Sequence, residues 1–216
     1  MCIRDSGNIV YYQNGLLTEE KPCMIAGLDY NTPWTRDTAI NIWNALSILS
    51  PEVSKNTLLA VLEEEEGNIY IGGQYWDSII WMIGAREYCR FHKDDNFYRL
   101  AFEAGRNSVH RLEEDEFDEE DGLFRGPAVY GDGIAAYPDK YSKCPNQGSG
   151  ILEWVDYPGN PVYPKGYGIP MKALSTNCVY FKVYEILAEM AHALGEPAKE
   201  LSLIHISEPT RRTPIS

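Results

Sequence analysis

Three short clusters in the sequence set carboxylates beside aromatic rings. They are Trp34-Thr35-Arg36-Asp37, Tyr75-Trp76-Asp77 and Tyr130-Gly131-Asp132-Gly133, the last followed by Tyr137. An indole offers an apolar face to a sugar ring, a guanidinium offers a fork of donors, and a carboxylate accepts from two vicinal hydroxyls. Two readings stand for Asp37 and Asp77. Each opens a helix-like stretch, where a carboxylate satisfies orphan N–H groups and complements the helix dipole. Each could equally serve a ligand, and the repetition at two successive helix starts favours that reading. Asp132 lies between two glycines, which permit unusual backbone angles and close approach by a ligand. Its neighbours Tyr130 and Tyr137 offer stacking surface or hydrogen bonds, and a carboxyl enclosed by aromatics can have its pKa raised enough for general-acid work near neutrality. The competing reading is a turn aspartate bonded to its own backbone.

Other candidate chemistry is weaker. The acidic run from Glu113 to Asp121, followed by Gly122, departs from the register of a calcium-binding helix-loop-helix loop and reads as a solvated helix end and turn. Glu153, Trp154, Asp156 and Tyr157 could line a cleft or simply pack a loop. His92, His110 and His192 lack the spacing of a metal site or a triad and read as structural. Cys23, Cys89, Cys144 and Cys178 form no CxxC and read as ordinary thiols, a disulfide pair being the lesser alternative. No phosphate-binding loop, nucleophile elbow or dinucleotide fingerprint occurs, so no metal and no cofactor is expected.

Composition narrows the partners. With 216 residues, Lys+Arg 19 against Asp+Glu 32 and a formal net charge of -13, the chain would be repelled by nucleic acid or an anionic membrane surface. No run approaches the roughly 18 apolar residues that a spanning helix requires. Neither nucleic acid nor membrane is therefore an expected partner.

The elements that must position these clusters follow from hydrophobic period. Residues 7–36 hold scattered Gly and Pro and read as an extended entry segment. Ala39, Ile42, Trp43, Leu46 and Leu49 then recur at helical spacing up to Pro51, and a second helix is expected from Pro51 to Glu65, stopped by Gly67. Gln74 to His92 is apolar nearly all round and predicts a buried helix. Asp95 to about Glu114 is amphipathic and predicts its outer partner. Glu113 to Lys172 reads as a long, aromatic-rich loop, a length usually tied to function. Leu174 to Leu194 is helical again, with Gly195 as its stop and Pro197 placed to open a further helix. The expected fold class is all-α, built from inner and outer helix hairpins.

The two ends stand apart from this pattern. Met1–Ser6 and Leu201–Ile206 can be encoded by opposite strands of one sequencing-adapter oligonucleotide, and the residues up to Ser216 read as its continuation. Residues 1–6 and 201–216 are accordingly excluded from fold reasoning, which leaves 7–200 as one partial domain.

The stretch YNTPWTRDTAINIW resembles the W-x-R-D segment that opens a core helix in the (α/α)6-barrel, or six-hairpin, glycosidases, including the trehalase, family 63 α-glucosidase and glucoamylase groups. GQYWDSIIWMIGAREYCRFHKDDNFYRLA resembles their next inner and outer pair. DGLFRGPAVYGDGIAAYP is similar to their loop bearing the acid aspartate, and LSTNCVYFKVYEILAEMAHALG to the following inner helix. The resemblance implies part of an (α/α)6 toroid acting on a carbohydrate substrate as an inverting, exo-acting glycoside hydrolase. It implies Asp132 as the general acid, and a sugar pocket formed by Trp34, Arg36, Asp37, Trp76 and Asp77, with Tyr130 and Tyr137 beside the acid. The base, usually a Glu from a later hairpin, has no candidate before residue 200, so 7–200 alone is expected to be inactive. A noncatalytic sugar-binding member, or a phosphorylase on a related barrel, remains as an alternative.

Overall fold

The computed structural model describes residues 8–27, 29–73, 76–126 and 172–196, with the side chains of Trp76 and Asp77 outside that description. Asp132, Tyr130, Tyr137, Cys144, the 153–157 cluster, Pro197 and both adapter-like ends also lie outside the described residues.

The chain opens with a hairpin of β1 (Ile9–Tyr12) and β2 (Lys21–Met24), registered Ile9 to Met24 and Tyr12 to Lys21. Pro22 is tolerated in β2 because a two-stranded sheet leaves one edge free of ladder bonds. Helix α1 follows, made of Thr35–Asn41, a π-helical turn at Ile42–Leu46 and a last turn at Ser47–Leu49. Helix α2 is Pro51–Ala60, with proline in its first turn, where the missing N–H is harmless. The hairpin rests on α2: the Met24 N–H donates to Thr57 Oγ1 at 2.9 Å, the Asn56 amide donates to Pro22 O at 3.2 Å, and Cys23 is fully buried.

A second hairpin pairs β3 (Leu62–Glu65) with β4 (Asn68–Ile71), Leu62 opposite Ile71 and Glu63 opposite Tyr70. Helix α3 is Trp76–Phe91 and α4 is Asp95–Glu116. Asp94 caps α4 by accepting from Phe97 N at 3.0 Å and pairs with Lys55 Nζ at 2.6 Å. Two-residue strands β5 (Phe117–Asp118) and β6 (Leu123–Phe124) form a third hairpin, and α5 is Leu174–Ala193. Helix α5 ends in a Schellman turn. Gly195 has φ 74°, its N–H bonds His192 O, and Glu196 N–H bonds Ala191 O.

These three antiparallel sheets make the fold mixed α and β, which corrects the all-α toroid expected from the sequence. The main error is local. The helix expected to run from Pro51 to Glu65 stops at Ala60, and Glu66 and Gly67, both with positive φ (52° and 80°), form the tight turn of the β3–β4 hairpin. The acidic run likewise divides between the end of α4 and the β5–β6 hairpin.

Helix α3 is the axis of the core. Ile79, Trp81, Met82 and Ala85 are fully buried, and the Trp81 indole N–H donates to Leu58 O at 3.3 Å. Against it pack Ile42 from α1, Leu58 from α2, Phe97 and Phe102 from α4, and Val183 and Leu187 from α5. The π-turn alters which residues of α1 face this core. Ile42 and Ser47, five apart, are buried, whereas Trp43 and Leu49, expected on the inner face, are exposed. One extra residue in the turn advances the phase of the buried stripe.

Candidate functional site

Helix direction decides whether the chemical clusters can meet. Thr35 Oγ1 donates to Gly72 O at 2.9 Å, just before α3 begins. Midway, Gly84 lies against Ala39: a Cβ built on Gly84 would fall 2.8 Å from Ala39 Cα. At the far end His92 Nε2 sits 2.7 Å from Ser47 O. The contacts advance in the same sense along both chains, so α1 and α3 are parallel. Helix α4 runs back against α3, with Phe97 on Tyr88 at 5.2 Å between ring centroids and Gly105 against Met82. Helix α5 reverses again, because Gly105 meets Leu187 whereas Glu113, eight residues later, accepts a hydrogen bond from the Tyr184 hydroxyl. Thus α1, α3 and α5 are mutually parallel. Their N-termini, which carry Trp34, Arg36 and Asp37, then Trp76 and Asp77, then Asn177, occupy one end of the molecule.

The segment bearing Asp132 is rooted at that same end. Gly126 and Lys172, the described residues on either side of it, form a parallel β-bridge immediately before α5. The root is fastened tightly. Asn177, in the first turn of α5, accepts from Phe124 N at 2.8 Å and donates to Phe124 O at 3.1 Å. The Phe124 ring stacks on Tyr180, with centroids 3.6 Å apart and planes 7° apart. Lys172 Nζ pairs with Asp118 at 2.7 Å and Asp121 at 2.6 Å, and Arg125 reaches Asp118 at 3.1 Å. The hydrogen bond from Lys172, the backbone N–H of Glu120 and the two cations hold the Asp118 carboxyl down to about 2. Beside this root Glu116 is buried, and burial together with Asp115 pushes its carboxyl up to about 8.

At the N-terminus of α1, Trp34 is 37% exposed and meets Tyr30 edge to face at 6.0 Å. The N-cap residue Trp34 makes no side-chain cap, and Asp37 is the acidic residue of the first turn, where its charge complements the helix dipole. Asp37 also stands 3.8 Å from Arg36 Nε, both partly exposed. An exposed indole, a guanidinium and a carboxylate therefore share the first turn of α1. The backbone of Trp76 and Asp77 opens α3 beside them.

A groove of 430 Å³ adjoins Trp34 and runs between Thr35, the end of α2 and the β3–β4 hairpin. Its volume falls in the range of about 300–1,000 Å³ typical of small-molecule sites. Glu63 lines it with an exposed carboxylate that forms no hydrogen bond or ion pair among the described residues, and that lies over Gly72: a Cβ there would sit 2.6 Å from Glu63 Oε1. The sequence clusters did not include Glu63, and Thr35, inside the Trp34–Asp37 cluster, carried no role of its own. Glu63 was hidden in a run of four glutamates assigned to a helix, although Ile69-Tyr70-Ile71 after Gly67 was a strand signal.

Among the described residues Cys23, Cys89 and Cys178 are free. His110 lies within 3.4 Å of Glu113 on an exposed face. No described helix is long and apolar enough to cross a membrane. Comparison with protein-family models, with curated proteins and with solved structures finds no match.

Proposed function

We propose that the chain belongs to a carbohydrate-active enzyme, an inverting, exo-acting hydrolase of an α-linked glucoside or related glycan. One observation carries the reading: the N-termini of three parallel helices, with Trp34, Arg36 and Asp37 on the first, share one end with both roots of the segment that bears Asp132. Positive helix ends gathered there favour oxygen-rich, acceptor-bearing ligands, and the indole supplies the apolar face that a pyranose needs. In this reading Arg36 donates to ring hydroxyls, Asp37 and Asp77 accept from them, and Trp34 and Trp76 border the ring. Asp132 protonates the departing glycosidic oxygen. A second carboxylate, about 6.5–9.5 Å away, activates water on the opposite face, so the product emerges with inverted configuration. The acidic chain suits a neutral sugar better than a phosphorylated one.

The test is a panel of α-linked glucosides offered to the protein expressed from its uninterrupted reading frame, with and without inorganic phosphate. Phosphate-independent release of β-configured sugar is expected. Asp132→Asn should lower turnover about 10²–10⁴-fold at an unchanged melting temperature. Unchanged turnover in that variant would overturn the role of Asp132, and phosphate dependence would replace hydrolysis by phosphorolysis.

A further inference from the structure

The groove beside Trp34 has a chemical bias of its own. Its walls include Trp34, Thr35, Ala60, Val61, Glu63, Gly72 and Gly73. Thr35 spends its hydroxyl proton on Gly72 O, and the Asn14 amide donates to Ala60 O at 3.3 Å, so two polar side chains on the wall are committed to the backbone. The Glu63 carboxylate is not. It has no cation or donor among the described residues, and a carboxylate is an acceptor only, with room for two donors side by side. A ligand that engages this carboxylate does so through donors, and two side by side match its two oxygens. Adjacent hydroxyls of a neutral sugar meet that need, and an anion would be repelled.

Two features fix the backbone that carries Glu63 and leave room for its carboxylate. Leu62 and Ile71 pair across the hairpin and are buried, which anchors the strand that carries Glu63. Gly72 leaves space that no other residue could: a Cβ would stand 2.6 Å from Glu63 Oε1 and 2.7 Å from Val61 O. At the other end of the same strand, Arg111 holds Glu65 at 2.7 Å and covers the Tyr70 ring at 3.5 Å, so the hairpin is tied to α4.

We propose that Glu63 forms a subsite for a second sugar ring of the substrate, adjoining the terminal ring that Trp34 borders, with the vicinal hydroxyls of the second ring donating to the Glu63 carboxylate. This inference rests on the carbohydrate reading above and extends it from one ring to two. Glu63 is a binding residue here and is given no part in bond cleavage.

Calorimetric titration with glucose and with maltose separates the two claims. The unsubstituted chain should bind maltose more tightly than glucose. Glu63→Gln should lose about tenfold for maltose and leave glucose unchanged, since a hydrogen bond to a charged acceptor is worth about that factor. Glu64→Gln, on the opposite face of the strand, controls for general charge and should change neither. Glu63 is exposed, so both variants should melt with the parent. A maltose advantage that survives Glu63→Gln, or is absent from the parent, overturns the subsite and leaves one-ring binding standing. Failure of the parent to bind either sugar overturns the carbohydrate reading and the subsite with it.

Discussion

Asn177 grips Phe124 by both of its backbone polar groups, accepting from the N–H at 2.8 Å and donating to the carbonyl at 3.1 Å. Phe124 is 4% exposed, so water cannot replace either bond. One carboxamide on the first turn of α5 thus completes the short β6 strand as a neighbouring strand would.

Asn177→Ala should destabilise the fold by about 1–3 kcal/mol, because it leaves a buried donor and a buried acceptor unsatisfied together. Asn177→Asp keeps the acceptor but sets a carboxylate against the Phe124 carbonyl, and should destabilise at least as much. Denaturant unfolding measures both. An alanine variant as stable as the parent would show that the pairing contributes nothing.

Gly84 is the contact that lets α1 and α3 run side by side. Its hypothetical Cβ falls 2.8 Å from Ala39 Cα and 2.9 Å from Ala39 O, both backbone atoms that cannot turn aside. Gly84→Ala should therefore lower stability by about 1–3 kcal/mol, despite the better helix propensity of alanine, since overpacking forces the helices apart. Gly67→Asn is the contrasting case: open space surrounds Gly67, and asparagine tolerates its positive φ better than other residues. Its melting temperature should fall through the positive φ alone, and by less than that of Gly84→Ala. Equal melting of Gly84→Ala and parent would refute the close packing.

Glu116 gives a pH dependence whose sign is fixed. Burial and the neighbouring Asp115 raise its carboxyl from 4.5 to about 8, against a smaller opposing pull from Arg125, and its Oε2 has no hydrogen-bond partner. Below pH 4.5 the group is protonated whether the chain is folded or unfolded, so its relative contribution to stability is complete there. Between pH 4.5 and about 8 the unfolded chain ionises and the folded one resists, so stability falls as pH rises. Asp94 and Asp118 act oppositely. Their lowered values give stability that is present above 3.8 and is lost as pH falls below it, outside the Glu116 window. Glu116→Gln should flatten the decline of melting temperature between pH 5 and pH 8. Parallel curves for parent and variant would remove Glu116 from the account.

The sequence was most legible where hydrophobic period was strong. The apolar surround of Ile79 to Ile83 located α3 within a residue or two of Trp76–Phe91, and Asp95 and Leu174 start α4 and α5 as their periods require. Short strands were lost. Glu63 to Glu66 favour helix by intrinsic propensity, yet cross-strand burial of Leu62 on Ile71 and the positive-φ pair Glu66-Gly67 decide for a hairpin. Trp43 was misplaced because a regular 3.6-residue period cannot anticipate a π-turn. Of the candidate site, the Trp34, Arg36 and Asp37 cluster was legible as a motif. Glu63 was not, because it joins Trp34 only through the three-dimensional approach of the β3–β4 hairpin to the start of α1.

The central claim is that a sugar binds at the end where α1, α3 and α5 begin. Amide chemical-shift mapping of the isotopically labelled chain during titration with maltose tests it most directly. The account predicts shifts concentrated at Trp34 to Asp37, Gly72 and Gly73, Trp76 and Asp77, and the Gly126–Lys172 bridge. Silence at saturating maltose, or shifts gathered instead around Ser47 and His92 at the opposite end, would contradict it.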